Sequence, residues 1–229
     1  MDYSKWKSIY KKIITDLIIK EIDDYKSAGI LEDLLNNCKT SNKSYLKKLL
    51  ENQKITIFGA GPSLEDSINI YDYRDNTLVA ADGATSALLK NNIVPDIIVT
   101  DLDGYVPDQI KSNQIKGIVI IHAHGNNIEK INKYVRKFEG NIIGTTQIDP
   151  SSFKNLYNFG GFTDGDRAVF LADHFKAKTI TLVGFDFNGE IGKYSFPEKK
   201  DIALKFKKLK WCKKLIEYLQ ESNKNIKYF

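Results

Sequence analysis

Six short apolar runs that do not alternate with polar residues constrain this chain more than any other feature. They lie at residues 55–58, 77–81, 96–100, 117–121, 141–144 and 179–183, with helical stretches between most of them. A strand with one wet face alternates, so an unbroken apolar run predicts a strand covered on both faces. Strands that alternate with helices predict a parallel sheet with right-handed crossovers. Ahead of the first strand, Trp6, Tyr10, Ile13 and Leu17, then Ile30, Leu31, Leu34 and Leu35, recur at helical spacing, and Gly29 is expected to break the run. A last amphipathic helix is predicted over 201–220, with Ala203, Phe206, Leu209, Cys212, Leu215 and Leu219 on one face. The expected architecture is α/β, a doubly wound and mainly parallel sheet. A helical segment, 1–52, precedes a main domain, 53–229, that ends in a helix.

Composition narrows the class. With 229 residues, 42% hydrophobic and 28% charged, the chain is long enough for a substantial core and too ordinary for a disordered, collagen-like or disulfide-built protein. No apolar run approaches the roughly 20 residues of a membrane span, and the first residues lack the apolar stretch of a signal peptide. Cys38 and Cys212 are isolated, which fits a reducing cytoplasm. The formal charge of +5 is too small and dispersed to imply nucleic acid. Eight lysines between 199 and 214 read as a solvated helix face or as steering for a polyanionic substrate.

In doubly wound sheets ligands bind beyond the carboxyl ends of the strands. Gly59-Ala60-Gly61-Pro62-Ser63 follows the first run, and Asp82-Gly83-Ala84-Thr85 the second. Asp101-Leu102-Asp103-Gly104, His122-Ala123-His124-Gly125 and Thr145-Thr146-Gln147 follow the next three. A later junction reads Gly160-Gly161-Phe162-Thr163-Asp164-Gly165-Asp166-Arg167, and the last strand gives Gly184-Phe185-Asp186-Phe187-Asn188-Gly189.

The Gly59–Ser63 turn suits backbone N–H groups aimed at phosphate, or a plain tight turn capped by Ser63. Leu64 stands where a dinucleotide fingerprint would place its third glycine, although Asp82 lies near that fingerprint's ribose-binding acid. Asp101 and Asp103, at i and i+2 on a strand end, are expected to point the same way; they read as two solvated turn acids or as Mg²⁺ ligands, and Asp82 and Asp96 nearby favour the metal. Thr163 is expected to cap a helix whose first turn carries Asp164 and Asp166, while Arg167 is placed to neutralise a transferring phosphoryl group. His122 and His124 read as phosphate donors or as a packed pair. Asp186 reads as a cap for the turn after the last strand.

Taken in order, the motifs at Gly59–Leu64, Ala81–Ser86, Pro95–Gly104, His122–Asn127, Gly144–Gln147 and Asn158–Ala168 resemble archaeal 6-hydroxymethyl-7,8-dihydropterin diphosphokinases, over residue 54 to the C-terminus. The core is also similar to thiamin pyrophosphokinase, Rossmann-like, whose metal-binding acids correspond to Asp82, Asp101, Asp103 and Asp164. The resemblance implies ATP and a reduced pterin as substrates, Mg²⁺ as cofactor, and contacts to them from Gly59, Gly61, Pro62, Ser63, Gly83, His122, His124, Asp166 and Asp186. Asn126 stands where that family is expected to carry Asp. Two other readings are a metal-dependent glycosyltransferase using Asp101-Leu102-Asp103 and a non-catalytic dinucleotide-binding module. A homo-oligomer is compatible with all three.

Overall fold

The computed structural model describes residues 3–187, 189–196 and 201–229. Asn188, Lys199 and Lys200, each part of a motif above, lie outside the described residues.

All six apolar runs form strands, and two further strands complete one sheet. In chain order they are β1 (Lys54–Phe58), β2 (Thr77–Ala81), β3 (Ile97–Thr100), β4 (Ile118–Ala123), β5 (Ile142–Thr146), β6 (Leu156–Tyr157), β7 (Thr179–Val183) and β8 (Ile226–Tyr228). Their order across the sheet is β6-β5-β4-β3-β2-β1-β7-β8, and every neighbouring pair is parallel. From β1 the chain steps outward to β6 and then returns to the other side of β1 as β7. The switch point therefore lies between β1 and β7, where a crevice opens at the carboxyl ends.

The helices follow from which side chains each strand turns to each face. Ile55, Ile57 and Val79 join one hydrophobic cluster, while Phe58, Leu78 and Ala80 join a second. The second cluster is closed by α4 (Leu64–Ile70) and α5 (Ala84–Lys90) through Leu64, Ile68, Ala84, Ala87 and Leu88. The first and larger cluster takes in α8 (Asp164–His174), α9 (Ile202–Ser222) and the N-terminal helices α1 (Tyr3–Leu17), α2 (Glu21–Leu35) and α3 (Lys43–Leu50). Between the strands lie α6 (Val106–Ile115) and α7 (Ile128–Tyr134).

Two expectations need correction, and two strands give no sequence signal. Gly29 does not break a helix but sits inside α2, where the buried face of Ala28, Leu31, Leu34 and Leu35 outweighs the ~1 kcal/mol propensity cost of glycine. The break falls earlier, at Ile18, whose φ is 54°. Asp96 is not near the other acids. It precedes β3 at the amino edge of the sheet, where it accepts the Leu78 N–H at 2.9 Å and pairs with Lys116 at 2.7 Å. Strands β6 and β8, of two and three residues, are too short to show a period in sequence. Among the described residues no helix is long and apolar enough to cross a membrane.

Trp6 joins the N-terminal helices to the sheet. It is buried, meets Phe170 of α8 edge-on at 6.1 Å, and donates its Nε1–H to the Gln147 carbonyl at 2.7 Å. Trp6→Ala is expected to cost roughly 3–5 kcal/mol while urea unfolding keeps one transition. An unchanged midpoint, or two separate transitions, would show that α1 and α2 fold apart from the sheet.

Candidate active site

A cavity of about 710 Å³ opens over the carboxyl edge of the sheet. The residues after β1, β2, β3, β4, β5 and β7 all reach it, together with the start of α8, the α1–α2 junction and one face of α9. Of the residues singled out from sequence, Gly59, Gly61, Asp82, Gly83, Asp101, Asp103, His124, Asp164, Arg167 and Asp186 line it. Pro62, Ser63, His122 and Asp166 do not.

Three carboxylates meet at its floor. Asp82, Asp101 and Asp164 each offer an oxygen within 4.8 Å of the others. Asp82 follows β2 with φ 43°, and its Oδ1 accepts from Thr100 Oγ1 (2.9 Å), Gly104 N (3.0 Å) and Gln109 Nε2 (2.8 Å). Asp101 follows β3, accepts the Asp103 N–H at 3.1 Å, and meets His124 Nε2 at 3.2 Å. Asp164 opens α8, and its Oδ1 accepts from Arg167 Nη1 at 3.1 Å.

Asp103 stands outside that trio among the described residues. The expectation that Asp101 and Asp103 share a direction assumed an extended chain, but β3 ends at Thr100 and buried Leu102 has φ 66°. The kink, held by the Leu102 N–H bond to Thr100 Oγ1 at 2.8 Å, abolishes the strand's alternation. The Asp103 carboxylate instead pairs with Lys130, at the cavity wall.

The electrostatics are those of crowded like charges. Burial, and then the charge of Asp101, raise the Asp164 pKa well above the usual carboxylate range against the pull of Arg167. Burial opposes ionisation of Asp101 too. The hydrogen bond and charge of His124, with Arg167 and Lys208, outweigh it and hold Asp101 ionised well below its ordinary value. Lys208 and Lys205 reach the cavity from α9, so part of the lysine-rich helix faces the site rather than open solvent.

The turn after β1 works differently from the expectation. The N–H groups of Gly59 and Gly61 are spent on the carbonyls of Val183 and Gly184, at 2.8 and 2.9 Å. A Cβ on Gly61 would lie 2.2 Å from Asp186 Oδ2, so glycine is required by the close approach of the β1 and β7 turns. Asp186 accepts from Ser63 N at 3.0 Å and Ser63 Oγ at 2.8 Å, capping α4 from across the crevice. Asp166 is likewise structural: buried, it forms the capping box of α8 with Thr163. Gly160 and Gly161, at φ 88° and 89°, lead the chain into that helix so closely that a Cβ on Gly161 would touch Arg167 Cα at 2.6 Å. His122 lies below the floor with Nδ1 3.0 Å from Thr145 Oγ1, and burial, then the charge of Arg167, hold it neutral.

Several residues with a part in this geometry carry little signal in sequence. Gln109, in the middle of α6, gives no cue that it reaches Asp82. Asp24 reads as one of three acids in the first turn of α2, an ordinary complement to a helix dipole. Gln147 was visible as a strand-end residue, but not its bonds to Asp24 and Arg167.

Residues 30–191 match the family model described as 6-hydroxymethylpterin diphosphokinase MptE-like. A 6-hydroxymethyl-7,8-dihydropterin pyrophosphokinase of Methanocaldococcus jannaschii is 46% identical across 96% of this chain and 97% of its own. Proteins with the same description from Pyrococcus furiosus and Methanothermobacter thermautotrophicus are 42% and 38% identical, each over at least 96% of both chains. Among solved structures, a MAf glycosyltransferase from Magnetospirillum magneticum AMB-1 superposes with TM-score 0.50 at 16% identity, covering 73% of this chain and 28% of that one. That likeness concerns the fold alone.

The raised pKa of Asp164 means that its ionised form opposes folding at neutral pH, while below the unfolded-state pKa the penalty is absent. Asp164→Asn is therefore expected to raise the thermal midpoint at pH 7 without divalent cation, by roughly 2–4 °C per kcal/mol relieved. The gain should shrink as pH falls through the carboxylate range. A lowered midpoint would show that its bond to Arg167 outweighs the repulsion.

Proposed function

The chain belongs to the MptE-like 6-hydroxymethylpterin diphosphokinase family, and from that premise we propose that its acid cluster holds Mg²⁺ on ATP while diphosphate passes to a reduced pterin. The observation that carries the site assignment is the meeting of three carboxylates, two buried and the third largely so, within 4.8 Å at the ends of β2 and β3 and the start of α8. The donor set fits the ion: hard oxygens only, buried, and so crowded that Asp164 resists ionisation without a cation. Asp82, Asp101 and Asp164 are its holders, and the chemistry it supplies when bound is neutralisation of polyphosphate charge.

In the reaction the pterin hydroxymethyl O–H gives its proton to water and its oxygen forms a bond to the β-phosphorus of ATP. The bond between that phosphorus and the bridging α,β-oxygen breaks, and AMP leaves with the oxygen. Such a displacement asks for positioning and charge stabilisation more than for a covalent intermediate. Arg167, at the floor and bonded to Asp164, is placed to stabilise charge on the moving phosphoryl group. His124 keeps Asp101 ionised and in place. Lys205 and Lys208 of α9 and Lys130 beside Asp103 surround the cavity with positive charge suited to a triphosphate. Asp103 acts on phosphate through Lys130 in this reading.

The test is direct. Incubated with ATP, Mg²⁺ and 6-hydroxymethyl-7,8-dihydropterin, the protein should release AMP and pterin diphosphate only when the pterin is present. Asp101→Asn should lower that turnover by about 10²-fold or more with the fold retained by circular dichroism. Near-normal turnover in the variant removes Asp101 from the site. Turnover only with a nucleotide sugar overturns the whole reading in favour of glycosyl transfer.

A further inference from the structure

The N-terminal helices reach the floor of the cavity through hydrogen bonds. Tyr10 of α1 donates its hydroxyl to Asp24 Oδ2 of α2, and Gln147 Nε2 donates to the same oxygen at 2.7 Å. Gln147 Oε1 accepts from Arg167 Nη2 at 3.3 Å, and Arg167 Nη1 reaches Asp164 at 3.1 Å. Trp6 of α1 fixes the backbone of Gln147 as well, at 2.7 Å. Among the described residues, Gln147 and Asp164 are the two side chains that hold the guanidinium by hydrogen bonds. All members of this line are buried or nearly so.

A second line starts from the same helix. Asp24 Oδ1 accepts the Gly125 N–H at 2.7 Å, next to His124, which meets Asp101. Ser27 Oγ donates to Asn127 Oδ1 at 3.1 Å, and Asn127 Nδ2 donates to the carbonyls of Asp101 (3.0 Å) and His122 (2.7 Å). A Cβ on Gly125 would lie 2.7 Å from Asp23 Cβ, so α2 sits directly on that turn.

We propose that Gln147 is the positioning residue of Arg167, and that Asp24 of the N-terminal helix pair sets Gln147 by fixing which end of its amide faces the guanidinium. The geometry gives this a sense of direction. A carboxylate only accepts, so Asp24 takes the Gln147 NH₂ and turns the amide oxygen toward Arg167. An amide flipped the other way would set donor against donor at Arg167 and acceptor against acceptor at Asp24. Helices α1 and α2 are therefore part of the reaction machinery at one remove. This inference rests on the role proposed above for Arg167.

The experiment uses the full chain and follows AMP release with ATP, Mg²⁺ and the reduced pterin. Gln147→Met keeps the length and loses both bonds; kcat should fall on the order of 10²-fold, with KM for ATP changed little and circular dichroism retained. Gln147→Glu should also be slow, because it sets a carboxylate against Asp24. The double variant Asp24→Asn with Gln147→Glu reverses donor and acceptor along the line. The new amide at position 24 donates, and the new carboxylate at position 147 accepts from it and from Arg167. It should recover at least tenfold over Gln147→Glu alone. Combined with Arg167→Ala, Gln147→Met should add no further loss. Tyr10→Phe, the mildest change, should reduce kcat severalfold with a nearly unchanged melting point. Equal kcat in Gln147→Met and the unchanged chain, absence of rescue, or additive losses with Arg167→Ala each overturn the proposal. If the unchanged chain releases no pterin-dependent AMP, the functional reading fails instead, and the two failures are told apart by that control.

Discussion

Three carboxylates brought within 4.8 Å of one another in a buried position are an electrostatic liability, and much of the surrounding structure answers to it. Three donors are committed to a single oxygen of Asp82. Arg167 is buried beside Asp164, and His124 is held against Asp101. Such an arrangement offers no net gain to a protein that only needs to fold, since apolar residues of similar volume would serve as well. Under the proposed function a cation and a polyanion would relieve that repulsion, and Lys205 and Lys208 of α9 line the same cavity.

The topology makes the cluster possible. In an all-parallel sheet every strand delivers its next residue to the same edge, so Asp82 and Asp101 arrive side by side from β2 and β3, which pair with Ala81 opposite Val99. The third acid comes from elsewhere in sequence, at the start of α8, which packs across β1, β2 and β3. Glycines at positive φ bring that helix close enough, and its own capping box, built with Asp166, frees Asp164 to face the cavity.

The strands and the rim of junctions were legible because both rest on local pattern. Continuous apolar runs such as 118–121 mark two-sided burial, and each is followed by small and polar residues that could only be a strand end. What escaped depends on backbone twist and on distant partners. Leu102 looked like an ordinary strand residue, yet it takes a left-handed turn just past the end of β3. Asp96, a few residues after an exposed turn, could not be told from a site acid until the sheet gave it an edge. The Gly59–Ser63 turn carried the composition of an anion loop, while its glycines answer to packing against β7. Asp24 and Gln147 meet across 123 residues, and no local window contains both.

That separation bears on how the chain is made. Trp6 and Tyr10 leave the ribosome well before the residues that receive them, since Gln147 follows Trp6 by 141 positions and Phe170 comes later still. Until then α1 and α2 have an apolar face and no completed sheet to receive it, an interval in which aggregation competes with folding. Docking waits for β5 and α8, so helices made before the sheet find their native neighbours only after most of it has emerged.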